Sequence, residues 1–74
     1  MLEDMKKELS SYYKLHRNEY NLTYRQLVVD SGLCLTQVTN ILKHDGHMLT
    51  LDKILMGLSN LGYSIEINIG SYDE

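Results

Sequence analysis

Proline, tryptophan and phenylalanine are absent from this chain, cysteine occurs once, and acids outnumber bases. A lone Cys34 cannot form an internal disulfide, which fits a reducing, cytoplasmic compartment. No apolar run is long enough to span a bilayer. The opening "MLEDMKKELSSYYK" carries charges throughout and lacks an apolar stretch, so no secretory leader is expected. No nucleophile–base pair, glycine-rich phosphate loop or pair of carboxylates stands out, so neither an enzyme nor a cofactor is expected. Internal repeats, low-complexity segments and linkers are lacking too. With 74 residues the chain is expected to form one domain, 1–74. A core that small often needs a staple, and with disulfides excluded a metal or a partner subunit remains.

All six aromatics are tyrosine: Tyr12, Tyr13, Tyr20, Tyr24, Tyr63 and Tyr72. Tyrosine packs its ring while its hydroxyl seeks water or a partner, which suits a shallow core with rings at the rim. The net charge of −3 argues mildly against a nucleic-acid partner, but its distribution matters more. Glu3, Asp4, Glu66, Asp73 and Glu74 sit near the ends. Between Met5 and Lys53 lie all seven bases and five acids, a net charge of +2. A modest basic face is therefore compatible with an acidic chain.

Leu2, Met5, Leu9, Tyr12 or Tyr13, and His16 fall near helical spacing and predict one amphipathic helix from about Leu2 to Tyr20. Lys6, Lys7, Lys14 and Arg17 are expected on its outer face, and Asn21 suits a left-handed stop. Thr23 and Gln26 form a T-x-x-Q capping box for a second helix ending near Asp30. Leu22 and Leu27 are placed for a hydrophobic staple across that cap. Then comes "VVDSGLCLTQVTNIL", Val28 to Leu42, in which one helix stops and another starts within three residues. Gly32 is expected to take the positive φ of that corner. Val38, Ile41 and Leu42 predict the inner face of a third helix, and His44-Asp45-Gly46-His47 a turn. Thr50 caps a fourth helix through Leu51, Ile54, Leu55, Leu58 and Leu61, ended by Gly62. The period then changes: Tyr63, Ile65, Ile67 and Ile69 alternate with polar residues, predicting a strand over about 63–69. Residues Gly46 to Leu49 could at most supply a short partner for it.

Two helices joined by a short glycine-containing turn make the helix-turn-helix. The stretch "LTYRQLVVDSGLCLTQVTNIL" resembles the phage-repressor and Cro-like helix-turn-helix regulators. Their pattern is L-T-x-x-x-L-A-x-x-x-G-(aliphatic)-S-x-x-x-(V/I)-x-x-(I/L). Leu22, Thr23, Leu27, Gly32, Leu33, Val38 and Ile41 stand at the matching positions. The resemblance runs from about Leu9 to Gly62, with "TLDKILMGLSNLG" as the following helix. It implies a mainly α, four-helix, lambda-repressor-like domain, here with a C-terminal strand where the family has a last helix. Three positions depart from the pattern. Val28 replaces the usual alanine, Cys34 the capping serine, and Leu35 a polar residue that commonly reads bases. Arg17 matches an arginine that the family pairs with an acid, but that acid's position is Leu42 here.

The resemblance implies a sequence-specific DNA-binding transcriptional regulator, a repressor of the phage or mobile-element kind. Leu35, Thr36, Gln37 and Asn40 are then the expected base contacts. Gln37 and Asn40 can pair bidentately with adenine, and Leu35 or Thr36 can touch a thymine methyl. Arg17, Thr23, Tyr24, Arg25 and Lys43 are the expected phosphate contacts. For Tyr24 a plain rim aromatic is an equal reading. A monomer this small contacts few phosphates, so a homodimer on a palindromic stretch of double-stranded DNA is expected. Tyr63, Ile65, Ile67 and Ile69 would form its interface as antiparallel strands. The alternative is a protein-binding helix-turn-helix module, such as an antitoxin or a regulator that docks another protein; a domain using the corner for packing alone is the plainest rival. Cys34 at a helix start is read as a small packing residue, with a redox sensor as the sharper option. Cys34, His44 and His47 lack the spacing of a structural zinc site, so no metal is expected.

Overall fold

A computed structural model describes residues 2–65. Four helices account for most of them: α1 (Leu2–Tyr20), α2 (Tyr24–Ser31), α3 (Leu35–His44) and α4 (Leu51–Asn60). The chain is mainly α, and no strand occurs among the described residues. Gly46 to Leu49 form consecutive turns, with Leu49 N–H bonded to the Gly46 carbonyl, so they offer no strand edge. Ile67 and Ile69 of the expected strand lie outside the described residues; Tyr63 and Ile65 are its described part.

Local chemistry sets the helix ends. Asn21 stops α1 with φ at 55°, the left-handed region that asparagine tolerates. Thr23 Oγ1 accepts the Gln26 N–H while Gln26 Oε1 accepts the Thr23 N–H, completing the box that starts α2. Gly32 closes α2 at φ 77°, and its N–H reaches back to the Val28 carbonyl at 3.0 Å. α3 ends on Asp45, also left-handed. Thr50 Oγ1 accepts the Lys53 N–H to open α4.

The core is Leu9, Tyr13, Leu27, Leu33, Val38, Ile41, Ile54 and Leu58. All four helices contribute to it: α1 packs on α3 and α4, and α2 on the same two. Two expectations need correcting. The buried stripe of α1 runs through Lys6, Leu9, Ser10 and Tyr13, so Lys6 is inside rather than on the outer face. Leu2, expected inside, is half exposed. The helical period fits both stripes, and a lysine stem covers apolar surface as well as leucine does. Nor do all the tyrosines stay at the rim. Tyr13 is fully buried, and its hydroxyl donates to the Ile54 carbonyl at 2.5 Å. Gly57 leaves the room for it: a β-carbon on Gly57 would stand 2.1 Å from the Tyr13 hydroxyl. Burial pushes the Tyr13 phenol well above its ordinary pKa.

Candidate nucleic-acid interface

The corner between α2 and α3 is held from three sides. Leu27, Leu33, Val38 and Ile41 are all buried beneath it. Ser31, itself buried, accepts the Leu33 N–H on its hydroxyl at 3.3 Å. From α4, the Asn60 amide donates to the Ser31 carbonyl at 2.7 Å. Asn60 was not among the residues singled out from sequence, where nothing marks it apart from other helix-end asparagines.

At the start of α2, the Arg17 guanidinium lies over the Tyr24 ring, 4.8 Å from its centroid. This cation–π contact holds the Arg17 head group against the first turn of α2. Thr23 and Arg25, the chain neighbours of Tyr24, are exposed. Arg17 Nε is buried without a hydrogen-bond partner among the described residues.

Along α3, Thr36 and Lys43 are exposed, Leu35 is 57% exposed, and Gln37 and Asn40 are half-buried. Both amides are already engaged. The Cys34 N–H donates to Gln37 Oε1 at 3.0 Å, and the Met48 N–H donates to Asn40 Oδ1 at 3.0 Å. Cys34 offers only a thiol as a cap, so the glutamine supplies the firm half of this helix start. Asn40 instead ties the α3–α4 turn to the helix. Gln37 and Asn40 are thus not the free side chains expected from sequence; each has its carbonyl oxygen committed to the backbone. Beside them Leu35, Thr36, Thr39, His44, Met48 and Leu49 line an open groove of about 550 Å³. Met48, which stands 80% exposed in the turn, was missed from sequence because no periodicity points to it.

Lys14 is withdrawn by an ion pair with Asp45 at 2.9 Å, and Lys6 by burial. The hydrogen bond from Lys14 holds the Asp45 carboxyl below its ordinary pKa. Arg25 and Lys43 are exposed and make no ion pair among the described residues. Residues 2–65 carry seven bases and seven acids, so Glu66, Asp73 and Glu74 account for the whole net charge of −3. Cys34 is exposed, which corrects its reading as a packing residue. His47 lies 3.7 Å from Glu3, and no group of three potential metal ligands gathers among the described residues.

Of the expected interface strand, Tyr63 and Ile65 are half-buried against the chain's own core. Tyr63 Oη lies 3.2 Å from His16 Nδ1, and its ring meets those of Tyr12 and His16. Burial, then the charge of Glu19 and the nearby Tyr20, raise the Tyr63 pKa. No helix among the described residues is long and apolar enough to cross a membrane. No protein-family model matches the chain, and no curated protein or solved structure does either.

Proposed function

We propose that the chain is a sequence-specific DNA-binding transcriptional regulator, a repressor that binds a palindromic operator as a dimer. The observation that carries this reading is the outer face of α3. It has no part in the core, and it is flanked by Arg25 and Lys43, which make no ion pair among the described residues, and by the Arg17–Tyr24 stack. An α3 face of this size enters a major groove, while Arg17, Arg25, Lys43 and the first amides of α2 meet phosphates on either side. Thr23 and Tyr24 set register rather than sequence. The acids that make the chain negative follow residue 65 in the sequence, after the stretch that carries the bases. The strand Tyr63–Ile69 pairs two copies antiparallel in this reading, with Ile67 and Ile69 buried between them.

One observation favours a second reading, a module that docks another protein: Leu35 and Met48 are large, apolar and exposed on the same groove. Binding to a scrambled duplex at low salt separates the two. A DNA reader retains weak, sequence-independent affinity there, on the order of 10⁻⁴–10⁻⁶ M even at physiological salt. Absence of any duplex binding at low salt rejects the DNA reading and leaves the docking module.

A further inference from the structure

Resting on the DNA-binding reading, we propose that α3 recognises thymine, through an amide donor set beside an apolar groove. The two hydrogen bonds at Gln37 and Asn40 carry this. A backbone N–H can only donate, so the side-chain atom facing Cys34 N or Met48 N is in each case the amide oxygen. Of each amide, the nitrogen, Nε2 of Gln37 or Nδ2 of Asn40, has no partner among the described residues, and both are donors. Bidentate pairing with adenine needs a donor and an acceptor from one amide; here each oxygen keeps a second lone pair, but its bond to a backbone N–H holds the amide plane to the fold rather than along an adenine edge.

The groove supplies the second criterion. Leu35, Met48 and Leu49 line it next to both amides, together with the hydroxyls of Thr36 and Thr39 and the imidazole of His44. On the major-groove edge only thymine sets an acceptor, O4, next to a methyl group at C5. Guanine offers two acceptors and no methyl. 5-Methylcytosine offers the methyl, but its N4 amino group meets the protein donor as another donor. Thymine alone both accepts from the amide nitrogen and sets a methyl group against Leu35, Met48 and Leu49.

The test starts from duplexes enriched from a random pool by the full chain. The enriched duplex is resynthesised with deoxyuridine in place of each thymine in turn, and separately with 5-methylcytosine opposite guanine. Binding is followed by fluorescence anisotropy. At one or two positions per half-site, deoxyuridine should weaken binding about fourfold, the worth of one buried methyl group. 5-Methylcytosine at those positions should weaken it further. In Leu35→Ala/Met48→Ala the thymine-to-deoxyuridine difference should shrink towards onefold; both residues are exposed, and circular dichroism checks that the fold is kept. Asn40→Asp and Gln37→Glu keep an acceptor for the backbone N–H and lose the donor. At least one should shift relative preference from thymine towards 5-methylcytosine. An enriched duplex that binds equally well with every thymine replaced by deoxyuridine overturns thymine readout and leaves DNA binding intact. So does an unchanged preference in both acidic variants. Failure to enrich any duplex, with no binding at low salt, removes the DNA reading and thymine readout with it.

Discussion

Gly57→Ala should destabilise the chain, although alanine is the better helix former. Gly57 lies inside α4, where alanine would ordinarily gain about 1 kcal/mol. Here the new β-carbon would stand 2.1 Å from the Tyr13 hydroxyl and 3.0 Å from Leu33 Cδ1. Tyr13 is fully buried, so it cannot swing into solvent without opening the core. Overpacking of this kind costs about 1–3 kcal/mol. Losing the bond from Tyr13 to the Ile54 carbonyl costs about 0.5–1.5 kcal/mol more. With the helix gain set against them, a net loss of about 1–3 kcal/mol remains. In a domain this small each 1 kcal/mol moves Tm by about 4–8 °C. Thermal melts followed by circular dichroism read it directly. Tyr13→Phe in the same chain removes the clashing oxygen and should recover part of the loss, giving non-additive effects in a double-mutant cycle. Recovery stays partial, because the ring carbon Cζ would still lie 3.2 Å from the added β-carbon. A Gly57→Ala variant with an unchanged or higher Tm would refute the packing of α1 on α4.

Gly32→Val places a β-branched residue at φ 77° and a β-carbon 2.9 Å from the Asn60 amide. Stability and duplex binding should fall together, and a full-strength binder with an unchanged melt would contradict the corner. Asp45→Asn keeps the left-handed cap but ends the pair with Lys14. The folded Asp45 pKa is lowered, so the pair stabilises above the unfolded value, about 4, and is lost as pH falls through the folded value. The variant should lose under about 1 kcal/mol at neutral pH, since both partners are partly exposed, and should show a shallower decline below about pH 4 in melts across pH. Ile67→Asp should give a monomer that binds one half-site weakly. Sedimentation equilibrium checks this, and a variant that remains dimeric takes the strand out of the interface.

How far the sequence revealed this fold depends on which signals are local. The Thr23–Gln26 box, Gly32 and Thr50 are short-range chemistry, and each sits where its residue type predicts. The stripe of α1 was harder to read, because Leu2, Met5, Leu9 and His16 fit a helical face about as well as Lys6, Leu9, Ser10 and Tyr13. Only packing on α3 and α4 decides between them. Gly57 carries its meaning through Tyr13, 44 residues earlier in the sequence. Asn60 carries its own through Ser31 in the same way. At the candidate site, Leu35, Thr36 and Lys43 are exposed, as helical spacing predicts, while Gln37 and Asn40 are half-buried. The engagement of the Gln37 and Asn40 oxygens was hidden, since a side chain's partner across a turn leaves no periodic trace. Met48's place in the groove was hidden for the same reason.

The salt dependence of binding to the enriched duplex tests DNA recognition most directly. Arg17, Arg25 and Lys43 from each of two protomers would neutralise six phosphates. The slope of log Kobs against log salt should then be about −5, at −0.9 for each contact. Arg25→Ala should weaken all duplexes alike and bring the slope nearer zero by about 2 in the dimer. A slope near zero, or one that Arg25→Ala and Lys43→Ala both leave unchanged, would contradict a phosphate-binding role for this face.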